Sequence, residues 1–208
     1  MTREMNRRRF LKLSGVGIAG ASLLGVVGSG GVLAREASPG PSLVAEFEEA
    51  AAEYGLPKGL LLAMGYVNTR WEMPPPGASG YEPGSLHGWG GYGIMHLVKN
   101  PSTDTLGAAS GLTGIPEETL KTDRRANILG GAALLAASQG RGKPTRLGEW
   151  FGAVAGRGRA PGRPLQAPSG VGGGELYAEQ VFGVLKAGAS ATTRNGERIA
   201  LEAQGRLL

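Results

Sequence analysis

A mainly helical domain closed by a small C-terminal β-hairpin is what this sequence predicts, and three observations carry that prediction. Apolar residues recur at helical spacing in successive stretches, as at Leu60, Met64 and Val67. Capping residues stand where those stretches begin and end, notably Ser42, Gly55, Pro57, Asp123 and Gly140. Near the C-terminus Asn195-Gly196 separates two short runs, which reads as the two-residue turn of a hairpin.

The 208 residues include no cysteine, so disulfides, thiolate metal sites and cysteine nucleophiles are all excluded. His87 and His96 are the only histidines, and their spacing matches no usual zinc pattern. No cofactor or metal is expected. The 38 glycines exceed average usage, about 7%, and crowd into the first 40 residues and the stretch 140–174. The net charge of +5 is concentrated at the N-terminus, where Arg3, Arg7, Arg8, Arg9 and Lys12 face only Glu4. The remainder is nearly neutral, which argues against nucleic acid as a partner.

Residues 1–34 read as an address. Arg7-Arg8-Arg9-Phe10-Leu11-Lys12 precedes an uncharged, glycine-studded stretch from Leu13 to Leu33 that ends in Val32-Leu33-Ala34. This resembles a twin-arginine export signal with cleavage after Ala34. The resemblance implies a secreted protein, exported by the twin-arginine route and left without a stable membrane anchor. The glycines and serines make the stretch a poor anchor if it were retained.

A short leader, 35–41, follows. Ser42 caps a helix carrying Leu43, Phe47, Ala50, Ala51 and Tyr54, and Gly55 ends it. Pro57 opens a second helix whose stripe is Leu60, Met64, Val67 and Trp71, with Asn68 and Glu72 on the adjoining face and Pro74-Pro75-Pro76 forbidding continuation. A glycine- and aromatic-rich loop then leads into Tyr92-Gly93-Ile94-Met95-His96-Leu97. Short helical pieces are expected around Thr105–Leu112 and Pro116–Lys121. Longer ones are expected from Thr122 or Asp123 to near Gly140, from Thr145 through Val154, and from Glu175 to Ala187 with Leu176, Val181, Val184 and Leu185 inward. Residues 156–174 read as a basic, mobile loop. The domain is expected over 42–190, with hairpin and tail over 191–208.

Three pieces in this order resemble the lysozyme-like domain of lytic transglycosylases. Asn68-Thr69-Arg70-Trp71 sits where that family has Glu-Ser-Arg-aromatic. Tyr92–Leu97 resembles its Gly-Leu-Met-Gln segment, and Asn127–Leu135 resembles its Asn-Ile…Gly…Leu helix. The likeness is closer still to the N-terminal domain that precedes the amidase domain in some secreted N-acetylmuramoyl-L-alanine amidases, through Gly91–Leu97, Asp123–Ala136 and Gly188–Gly196. It covers roughly residues 43–202. No amidase domain follows before Leu208, so that zinc chemistry is not expected. The resemblance implies a lysozyme-like fold and peptidoglycan glycan strands as partner.

One departure decides the expected chemistry. The family's catalytic glutamic acid donates a proton to the glycosidic oxygen, and the matching position here is Asn68, whose amide cannot act as an acid. General acid–base catalysis contributes roughly 10²–10⁴-fold. Near Ala155-Gly156-Arg157 the family's Ala-Tyr-Asn segment is also missing. A catalytically degenerate, glycan-binding domain is therefore expected. The alternatives are an active transglycosylase with its acid relocated to Glu72, four residues beyond Asn68, and an interaction module for a separate cell-wall amidase. Glu82 is a weaker acid candidate. For the ligand, Trp89, Tyr92, Met95, His96 and Asn127 are the expected site residues, since aromatic rings stack on pyranose faces, His96 matches a polar position near the groove in the family, and Asn127 is placed to cap or brace the groove. Trp71, Trp150 and Phe151 are expected in the core, and the arginines of 157–163 in a solvated linker.

Overall fold

The computed structural model describes residues 40–78, 80–84, 90–140, 142, 144–156 and 173–204. The architecture below is that of the compact unit Pro41–Leu208. The twin-arginine stretch and residues 157–172 of the glycine-rich loop lie outside the described residues.

Seven α-helices are found among the described residues: α1 (Leu43–Tyr54), α2 (Lys58–Thr69), α3 (Thr105–Thr113), α4 (Glu117–Thr122), α5 (Arg124–Gln139), α6 (Phe151–Val154) and α7 (Gly173–Ala187). Three very short strands, β1 (Gly91–Tyr92), β2 (Leu97–Asn100) and β3 (Thr103–Asp104), form one antiparallel sheet in that order. A hairpin of β4 (Ala189–Thr192) and β5 (Arg198–Leu201) forms another. No helix among the described residues is long and apolar enough to cross a membrane.

The caps behave as the local chemistry requires. The Ser42 hydroxyl accepts from the Ala45 N–H, Asp123 accepts from the Ala126 N–H, and Gly55 closes α1 in the left-handed region. Helix α5 is the centre of the domain. Ile128, Ala132 and Leu135 are wholly buried, and the helix packs against α1, α3, α4 and α6. Trp71, Phe47, Leu60, Leu61 and Met64 fill the core from the other side. Ile199 and Leu201 of β5 join that core, so the hairpin is part of the domain rather than a separate appendage.

One charged node ties distant parts of the chain together. The Arg124 guanidinium donates to both carboxylate oxygens of Glu46 on α1 (2.7 and 2.9 Å) and to Glu197 in the hairpin loop. Glu197 also accepts the Leu43 N–H at 2.8 Å. Its hydrogen bonds to Glu46 hold Arg124 above the ordinary arginine range. Burial alone would raise the Glu197 carboxyl, but the Leu43 N–H and Arg124 outweigh it and hold the group below the usual range.

Four expectations are corrected. Helix α2 ends at Thr69, so Trp71 reaches the core from outside the helix and Glu72 does not share a helical face with Asn68. The hairpin connection is not a two-residue turn. Thr193 N–H bonds to Glu197 O at 2.9 Å, which leaves Arg194, Asn195 and Gly196 as a three-residue loop with Gly196 in the left-handed position. Leu176 is 57% exposed, because α7 turns Tyr177, Ala178, Val181 and Leu185 inward instead. The stretch from Thr145 is a 3₁₀ turn (Leu147–Trp150) that runs into the short α6, not one continuous helix.

Candidate functional site

The site is built at the C-terminal end of α2. The helix stops at Thr69, five residues before Pro74, because Arg70 (φ 57°) and Trp71 (φ 64°) both enter the left-handed region. The Arg70 N–H still reaches the Tyr66 carbonyl at 2.9 Å. The reversal folds Trp71 back along its own helix, where its indole N–H donates to the Leu62 carbonyl at 2.8 Å. Gly65 makes room: a Cβ there would lie 2.7 Å from Phe47 and 3.2 Å from the Trp71 ring. Two consecutive non-glycine residues in this region cost on the order of 1–3 kcal/mol each. Removing a buried tryptophan costs about 3–5 kcal/mol, so burial of Trp71 is of the same order as the strain it offsets.

Facing this end is the turn between β1 and β2. Gly91 pairs with Val98 and Tyr92 with Leu97, and the four residues between them close with a His96 N–H to Gly93 O bond of 2.9 Å. His96 (φ 53°) is the third non-glycine residue in the left-handed region among the described residues. All three therefore border one place, and strained backbone of this kind gathers at functional sites. Asn127 of α5 locks the turn from beneath. Its Oδ1 accepts the Met95 N–H at 2.7 Å, and its Nδ2 donates to the carbonyls of Tyr92 (3.0 Å) and Leu120 (2.8 Å). Gly93 (φ 70°) must be glycine, since a Cβ would overlap the Asn127 amide.

Two hydrogen bonds join the helix end to the turn. Asn68 Nδ2 donates to the Met95 carbonyl at 3.2 Å, and the Thr69 hydroxyl lies 3.2 Å from the Ile94 carbonyl. The other amide atom of Asn68, Oδ1, is buried and has no hydrogen-bond partner. The Tyr177 hydroxyl of α7 is likewise buried and without a hydrogen-bond partner. Burial pushes the Tyr177 phenol well above its ordinary range, with the neighbouring Asn68 amide pulling the other way. Burial also lowers the His96 pKa, so its imidazole is neutral at pH 7. The floor of the site is thus polar and uncharged.

The expected site residues are only partly brought together. Asn68 reaches the turn at the Met95 carbonyl, next in sequence to His96, and both Asn68 and His96 are partly exposed; the half-buried Tyr92, paired with Leu97, lies beneath the Lys121 ammonium at 5.0 Å. Met95 and Asn127, expected among the ligand-binding residues, are enclosed at 1% and 0% exposure, so they hold the site up from behind. Glu72, the alternative acid, turns away to the hairpin, where its Oε1 accepts the Arg194 N–H at 2.9 Å. Glu82 is exposed in the loop, and Trp89 lies outside the described residues. Tyr177 was missed. Its signal is an i, i+4, i+8 stripe of Tyr177, Val181 and Leu185, one register away from the one that starts at Leu176.

No family model, no curated protein and no solved structure matches this chain.

Proposed function

We propose that this is a secreted, lysozyme-like domain that holds peptidoglycan glycan strands without cutting them. One observation carries the reading. The side chains at the end of α2 that bond to the turn are the Asn68 amide and the Thr69 hydroxyl, neither of them an acid, and the nearest carboxylate in sequence, Glu72, is committed to the backbone of the hairpin. Acid-assisted cleavage of a glycosidic bond needs a proton donor within hydrogen-bond reach of the leaving oxygen. Amides bind sugars well but donate no proton as an acid. The strained segments at Arg70, Trp71 and His96 support a site kept for binding. The ordered likeness of Asn68–Trp71, Tyr92–Leu97 and Asn127–Leu135 to transglycosylase segments supplies the ligand class, and Arg7–Lys12 supplies the export route.

Co-sedimentation with purified cell-wall sacculi tests it. The protein is expected in the pellet, with retention reduced in Asn68→Ala. Wild-type protein left wholly in the supernatant overturns the reading.

A further inference from the structure

The glycan-holding reading leaves open whether the site tells a neutral sugar chain from an acidic one, and the charge placed against Tyr92 bears on that choice. The Lys121 ammonium of α4 lies 5.0 Å over the Tyr92 ring. Backbone, and not only its own flexible stem, sets that position. The Asn127 amide donates to the Tyr92 carbonyl at 3.0 Å and to the carbonyl of Leu120, the residue before Lys121, at 2.8 Å. The Lys121 side chain is 17% exposed, so little of it is open to water. Its carboxylate partner is Glu118 at 2.7 Å, three residues earlier on the same helix and 81% exposed. An ion pair to so exposed a partner contributes little and is readily exchanged. Other cations of the domain are committed more firmly: Lys99 of β2 donates to both oxygens of Glu117 at 2.7 and 2.6 Å, and Arg124 is shared by Glu46 and Glu197. An ammonium carries three donors, and the Glu118 carboxylate is one that a ligand carboxylate can replace.

We propose that Lys121 reads a carboxylate carried by the glycan, either the lactyl carboxylate of a muramic acid residue or one on the peptide attached to that lactyl arm. The ligand's carboxylate takes the place of Glu118 on the ammonium, and the Tyr92 ring beneath keeps the cation in position. The site then favours an acidic muramic glycan over a neutral chain of N-acetylglucosamine. This assignment rests on the glycan-holding reading. Lys121→Met keeps most of the stem and removes the charge, Lys121→Arg keeps the charge, and Glu118→Gln removes the competing carboxylate.

Isothermal titration calorimetry of the full chain tests it with three ligands. These are chitotetraose, the peptide-free tetrasaccharide of alternating N-acetylglucosamine and N-acetylmuramic acid, and the same tetrasaccharide with its peptides attached. At least one acidic ligand is expected to bind about three- to tenfold more tightly than chitotetraose, the size of one charge-assisted contact that displaces an exposed pair. The peptide-free arm marks the lactyl carboxylate as the group read, and preference for the peptide-bearing arm alone marks the peptide. The preference is expected to vanish in Lys121→Met, persist in Lys121→Arg, increase in Glu118→Gln and shrink in 1 M salt, where the screening length falls to about 3 Å. Equal binding of all three ligands by wild type, or a preference that survives in Lys121→Met, overturns the role of Lys121. Should Lys121→Met fail to fold, Glu118→Gln decides, and a preference that does not increase there overturns it. Wild-type protein that binds none of the three overturns the glycan reading itself.

Discussion

Replacing Asn127 by alanine removes the brace under the β1–β2 turn, and the structure sets the size of the loss. Three backbone groups are left without their partner: the Met95 N–H and the carbonyls of Tyr92 and Leu120. Each orphaned buried group costs about 1–3 kcal/mol. A water admitted to the space left by the amide can serve some of them, which brings the expected loss to about 3–5 kcal/mol. That is a large share of a typical 5–15 kcal/mol total. Urea unfolding with linear extrapolation measures it directly. Asn127→Asp is the companion variant, because it keeps an oxygen for the Met95 N–H but loses both donations and buries a charge. It should be at least as unstable at neutral pH and recover in part on acidification, as the carboxyl protonates. A loss below about 1 kcal/mol in Asn127→Ala would refute the reasoning, since the turn would then be held by something other than this side chain.

Gly93→Ala combines a left-handed backbone, about 1–2 kcal/mol for an alanine, with overlap on the Asn127 amide. It should destabilise by at least about 2 kcal/mol in the same assay, and a neutral result would contradict the packing. Glu72→Gln keeps an acceptor for the Arg194 N–H and should leave stability nearly unchanged, whereas Glu72→Ala should lose about 1 kcal/mol. Equal, unmeasurable effects of the two would remove the hairpin tie. The Glu197 carboxyl is held below the usual range, so its contribution is complete above the unfolded value of about 4.3 and disappears as pH falls through the folded one. Unfolding free energies between pH 6 and pH 3 should therefore fall less steeply in Glu197→Gln than in wild type, and parallel curves would contradict the Arg124 node.

Helices whose ends are fixed by local chemistry could be read from the chain alone. Ser42 with Gly55, and Asp123 with Gly140, bracket α1 and α5 because capping acts over three or four residues. The end of α2 could not be read this way. Nothing local forbids a helix at Arg70 and Trp71, and the bend exists because the Trp71 indole finds the Leu62 carbonyl and a place beside Phe47. That tertiary choice also moved Glu72 off the face of Asn68, so the two rival readings of the chemistry diverged at a point where sequence spacing was silent. Asn127 could be read from the sequence as a residue that braces the groove, but which backbone groups it serves, the Met95 N–H and the Tyr92 and Leu120 carbonyls, is set by tertiary packing. The Arg124–Glu46–Glu197 node joins residues far apart in the chain, and no spacing rule reaches that far.

Where α2 meets the turn the side chain is the Asn68 amide and not a carboxylic acid, and product analysis tests the consequence most directly. Purified sacculi incubated with the protein alone should yield no anhydro-muropeptides above the protein-free blank by mass spectrometry. Release of anhydro-muropeptides at an ordinary enzymatic rate, lost in Glu72→Gln but kept in Asn68→Ala, would contradict it.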